Sequence, residues 1–148
     1  MINYDDIEIT ALETFPEIWS DYRFELLDEV AELSLDDWIC RLRELRHAER
    51  RPLGPTIVFE NALSPLIIKW LSSDKEERLV AALDWLESLS HPENDQRTLD
   101  LVYVGFCEAI LSNQREHLVT LLPHISVREH LHALFARTQA DWQERSRI

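Results

Sequence analysis

Glycine is the scarcest structural signal in this chain: there are two in 148 residues, Gly54 and Gly105, with six prolines. That is too little turn chemistry for an all-β protein, whose many short strands need it. It also excludes a phosphate-binding loop, because neither glycine stands in a Gly-rich run. The two cysteines, Cys40 and Cys107, lie 67 positions apart and form no metal-ligand spacing. Lone thiols without an export signal point to a reducing, cytoplasmic setting. No apolar run approaches the ~20 residues a bilayer span requires. The opening MINYDDIEIT is acidic and has no basic stretch like that of a signal peptide. There is no G-x-S-x-G for a nucleophile elbow.

Basic residues are missing where acidic ones gather. Residues 1–40 hold twelve Asp or Glu and a single base, Arg23, a net −11; residues 41–148 contribute only −2 of the total −13. A field of this sign repels nucleic acid, whose binding requires Lys and Arg to displace counterions. It repels anionic membrane as well, and favours a basic protein partner.

What is present is helical periodicity. The stretch 99–111, LDLVYVGFCEAIL, is apolar at ten of thirteen positions, with charge only at Asp100 and Glu108. Thr98 before it and Ser112-Asn113 after it fit helix caps, so it reads as a buried central helix with Gly105 allowing a neighbour to approach closely. Pro16 suits a first turn, followed at helical spacing by Ile18, Tyr22, Leu26, Val30 and Leu33. Ser34 reads as an N-cap, opening a helix with Leu35, Trp38, Ile39, Leu42 and Leu45 on one face and a basic end at Arg41, Arg43, Arg46, Arg50 and Arg51. A helix over 56–71 contains Pro65, which predicts a kink or a restart capped by Ser64. Ser73-Asp74-Lys75-Glu76 and Ser126-Val127-Arg128-Glu129 read as capping boxes. The first opens a helix with Leu79, Leu83, Leu86 and Leu89 inward, and the second one with Val127, Leu131, Leu134, Phe135 and Trp142 on one face. Between them a short helix is expected to stop at Pro123. Residues 1–13 fit a short helix or an extended arm, and 143–148 a frayed tail. The expectation is one all-α domain over 1–148, about seven helices stacked as antiparallel hairpins around helix 99–111, either HEAT-like or an irregular bundle. Leu71–Val80 and Leu111–Val119 resemble each other at an offset of about 40 residues, near the period of helical-hairpin repeats, although all helix corners share such punctuation.

Candidate chemistry is thin. Glu44-x-x-His47 and Glu129-x-x-His132 have di-metal bundle spacing, but helical geometry turns both pairs away from the apolar faces. The chain therefore reads as a non-enzyme without metal or cofactor. Cys40 and Cys107 fall on or beside apolar faces and read as small core residues.

The sharpest signal is a stripe of acids. Glu17, Asp21, Glu25, Asp28 and Glu32 fall on one side of the helix over 16–33, with no Lys or Arg among them. Asp36 and Asp37 extend the stripe, and Phe24 and Leu27 lie beside it as apolar anchors. Trp19 and Trp38 flank the region within reach of an interface. Like charges three or four apart destabilise an isolated helix by about 0.2–0.5 kcal/mol each. Two structural readings stand beside a docking surface: a solvated face that keeps the chain soluble, and neutralisation by Arg41, Arg46 and Arg50 of the next helix.

Leu66–Leu71 (LIIKWL), Ala82–Glu87 (ALDWLE) and Val104–Leu111 (VGFCEAIL) resemble small acidic helical immunity proteins of bacterial polymorphic and contact-dependent toxin systems, over roughly residues 56–122. The resemblance implies a cytoplasmic inhibitor of one cognate toxin, with no catalytic residues, small-molecule substrate, direct nucleic-acid contact or membrane contact. Assigning the docking role to Glu17, Asp21, Phe24, Glu25, Asp28, Glu32, Asp36 and Asp37 comes from charge alone. The alternative is a helical adaptor or regulator, or a nucleic-acid mimic, also without catalysis.

Overall fold

A computed structural model describes residues 2–23, 33–45 and 54–146. It is all-α, with no strand and eight helices among the described residues. Helix α1 is Ile7–Thr14, α3 Leu35–Glu44, α5 Glu76–Leu89, α7 Leu118–Ser126 and α8 Glu129–Arg145. Helix α2 covers 16–22, opening as a 3-10 turn at Pro16–Ile18 and continuing as Trp19–Tyr22. Helices α4 (55–71) and α6 (96–113) each contain a π-helical segment, Phe59–Leu63 and Tyr103–Glu108. None of the helices is long and apolar enough to cross a membrane among the described residues.

The inner helix is α6, and it is longer at both ends than its apolar run. Asp95 caps it, accepting from Thr98 N–H at 2.9 Å, so Thr98 lies inside the helix rather than at its cap. Leu101, Val102, Phe106, Cys107, Ala109, Ile110 and Leu111 are buried, while Asp100 and Val104 face outward. It packs against α4, α5 and α8.

The two π segments meet. Pro65 has no N–H and its ring crowds the carbonyl four residues back. Helix α4 neither breaks nor restarts there; it widens one turn earlier, where Ser64 N–H reaches back to Phe59 O. The Ser64 hydroxyl is then not a cap: it donates to Gly105 O at 2.8 Å, across the interface with α6. Gly105 permits the approach, since a Cβ there would stand 2.7 Å from Phe59 Cβ.

Residues 2–14 are not an arm. Asn3 caps a 3-10 turn at Tyr4–Asp6, and α1 follows with Ile7, Ile9, Ala11 and Leu12 buried. Ile2 N–H donates to Asn94 Oδ1 at 3.1 Å, and the Arg97 guanidinium lies 4.5 Å from the Tyr4 ring centre. At the other end α8 continues to Arg145 instead of fraying from Gln143, and Trp142 and Arg145 both reach Glu108.

Ser34 caps α3 as its sequence suggests, accepting from Asp37 N–H at 3.1 Å. The two expected capping boxes do not form. Ser73 and Ser126 turn back to the carbonyls of Lys69 and Pro123 in the preceding helices. Pro123 does not end α7, which runs on to Ser126. The cap of α8 comes instead from α5: the Glu87 carboxylate accepts from His130 N–H at 2.6 Å and Leu131 N–H at 3.0 Å. A carboxylate there satisfies orphan donors and sits at the positive end of the helix dipole. Removing a side-chain cap costs about 0.5–2 kcal/mol. Glu87→Ala is expected to lower the melting temperature by about 3–6 °C in a thermal melt, at ~2–4 °C per kcal/mol for a chain of this size.

Candidate acidic docking face

The described part of the acidic region is carried by α2 and the first turn of α3. Pro16 fixes the first turn of α2 and places Glu17 there. Glu17 is not a free anion. Arg78 of α5 grips it with two bonds, Nε to Oε2 at 2.7 Å and a terminal nitrogen to Oε1 at 2.6 Å, and also donates to Thr14 O. The same guanidinium lies 5.3 Å from the Phe15 ring centre and 5.5 Å from that of Trp70. Partial burial works to raise the Glu17 pKa, but the hydrogen bonds and charge of Arg78 outweigh it and hold the carboxyl below its ordinary value.

Asp21, one turn on, is exposed. It shares with Glu17 an open groove of about 510 Å³, whose other wall is Pro65, Leu66, Lys69 and Trp70 of α4. Asp36 borders a second groove, of about 480 Å³, with Leu12, Pro16 and Ile39; Glu13 and Arg43 line it too and pair with each other at 3.0 Å. Pro16 borders one groove and Glu17 the other, so the grooves adjoin along the first turn of α2. Asp37 is exposed beside Asp36. The structure therefore brings Glu17 and Asp21 together in one groove and sets Asp36 in the next. Phe24, Glu25, Asp28 and Glu32 lie outside the described residues, as do Leu27, Arg46 and Arg50. Arg41 is exposed, and Arg43 and Arg78 pair with the N-terminal acids Glu13 and Glu17.

Beneath the face lies a buried polar chain that periodicity missed. Trp38 Nε1 donates to the Tyr22 hydroxyl at 2.7 Å, and that hydroxyl donates to Glu8 Oε2 at 2.8 Å. Glu8 and Trp38 show no exposure and Tyr22 only 1%. Gly54 N–H approaches the same carboxylate oxygen at 3.4 Å. Trp38 is thus core, not an interface residue, and Trp19 is half-buried, stacked on Tyr22 at 5.7 Å. A signal was present in the sequence: Glu8 stands between Ile7 and Ile9, and buried Tyr and Trp need partners for their polar atoms.

The thiols divide. Cys40 is exposed in the second groove, against the core role expected for it; Cys107 is buried, and burial pushes its thiol up to about 12. Glu129 and His132 both face solvent, while His130 packs its ring on His91 at 4.7 Å. Among the described residues no group of three or more His, Cys, Asp or Glu is arranged to hold a metal ion.

What the face offers chemically is the exposed carboxylates of Asp21, Asp36 and Asp37 beside grooves with apolar walls, the first of which also carries Lys69 and Lys75. The chain matches no family model, no curated protein and no solved structure.

Proposed function

We propose that this chain is an immunity-type inhibitor, which binds and neutralises a cognate, basic bacterial toxin domain through its acidic N-terminal third. The observation that carries the reading is the charge placement: −11 of −13 within residues 1–40, with Asp21, Asp36 and Asp37 exposed on neighbouring helices. A toxin acting on nucleic acid has a basic cleft, and an acidic partner is steered to it quickly and occupies the substrate's place. Electrostatics would dominate the association rate, and buried anchors the dissociation rate.

Co-expression with the product of the adjacent reading frame tests this directly: protection of the cells supports the reading. With that partner in hand, Asp21→Lys combined with Asp36→Lys is expected to slow association about tenfold at low salt, with the difference shrinking at high salt. An unchanged rate at low salt would remove α2 and α3 as the docking face. Capture of several unrelated DNA-binding proteins, rather than one partner, would make the chain a nucleic-acid mimic instead.

A further inference from the structure

The groove between α2 and α4 is not uniformly acidic. One wall carries Glu17 and Asp21; the other carries Lys69 of α4 and Lys75 just before α5, with Leu66 and Trp70 as apolar lining. Arg78 already pairs with Glu17. The charges left in the groove are one anion, Asp21, and two cations, Lys69 and Lys75. All three are exposed, and none closes an ion pair among the described residues. The lining groups together with Arg78 therefore balance at +1, in a region whose first 40 residues sum to −11. The adjoining groove has the opposite sign, because Arg43 pairs with Glu13 and leaves Asp36. Held on separate walls, Asp21 and the lysines each keep their charge for an outside group.

We propose that this groove receives a segment of the cognate toxin that sets an acidic side chain against Lys69 and Lys75 and a basic one against Asp21, with an apolar side chain over Leu66. The inference rests on the inhibitor reading and adds selectivity to it. An acidic N-terminal third attracts basic proteins in general. Lys69 and Lys75 repel a surface that is basic throughout and favour one with an acid placed opposite them. Opposed like charges suppress wrong partners, and matched charges fix the register of the right one. The two lysines are thus specificity-determining residues: they separate the cognate toxin from other proteins with basic clefts.

Titration calorimetry of the full chain against the product of the adjacent reading frame, at low salt, tests it. Lys69→Glu with Lys75→Glu is expected to weaken binding about tenfold, even though it makes the chain more acidic. Arg115→Glu with Arg137→Glu makes the same change in net charge outside the groove and should bind at least as well as the parent chain. All four positions are exposed, so both variants should keep the parent's circular dichroism spectrum. Equal or tighter binding by the lysine variant overturns the proposal and leaves the inhibitor reading standing, with a uniformly basic toxin surface. A loss as large in the arginine variant assigns the effect to overall charge and likewise overturns the groove. No binding by the parent chain overturns both the groove and the inhibitor reading.

Discussion

Gly105→Ala is expected to destabilise the chain by about 2–3 kcal/mol, although Ala is the better helix former by ~1 kcal/mol. The added Cβ would stand 2.7 Å from Phe59 Cβ, far inside ordinary van der Waals contact. Both atoms are fixed directly to helix backbones, so no rotamer change relieves the clash. Helices α4 and α6 must move apart instead, which stretches the 2.8 Å bond from the Ser64 hydroxyl to Gly105 O. The separation also loosens the fully buried Phe59 and Phe106. At ~2–4 °C per kcal/mol the melting temperature should fall by about 5–10 °C. Phe59→Ala retains the opposing Cβ and should not rescue the variant, which separates a backbone-level clash from loss of ring packing. A melting temperature equal to or above that of the parent chain would show that the π segments yield without cost.

The elements legible in the sequence are those set by local periodicity. The Leu79, Leu83, Leu86 and Leu89 ladder is buried in α5, and Leu131, Leu134 and Phe135 in α8, whereas Val127, expected on the same face, precedes the helix and is exposed. Ser34 caps α3 through a partner only three residues on, Asp37 N–H. Illegible features depend on distance in sequence. The cap of α8 comes from Glu87, 43 residues away, and the partner of Glu17 is Arg78, 61 residues away. Ser73 and Ser126 match the capping-box pattern, yet each hydroxyl finds a closer carbonyl behind it. The alternation Ile7-Glu8-Ile9 suits an arm as well as a helix until long-range packing buries all three. Pro123 is tolerated within α7 because it lies on the outward face, where the carbonyl it leaves without a donor belongs to the solvent-facing Val119. For the acidic face, net charge was readable, but not how much of it the fold itself consumes: Glu8 is buried, and Glu13 and Glu17 are paired.

Tyr22→Phe should cost about 2–4 kcal/mol, more than the loss of one ordinary hydrogen bond. The hydroxyl serves two buried groups at once, as acceptor for Trp38 Nε1 and donor to Glu8 Oε2. Deleting it leaves an indole N–H without this acceptor and a carboxylate with one donor fewer, away from bulk water. Urea unfolding should show the midpoint falling with an unchanged slope. Trp38→Phe should cost less of the polar contribution, because Tyr22 keeps its bond to Glu8. In a double-mutant cycle the two changes should therefore be less than additive. A Tyr22→Phe cost below ~0.5 kcal/mol would mean that other contacts hold these helices. The chain of bonds spans α1, α2 and α3, and those last two helices carry Asp21, Asp36 and Asp37. The acids of the face repel one another and would spread apart on free helices. A buried, hydrogen-bonded link beneath them opposes that repulsion and sets their spacing before any partner arrives. A surface organised in advance loses less conformational freedom on binding, so in the inhibitor reading Tyr22→Phe should weaken partner affinity at temperatures where the variant remains fully folded.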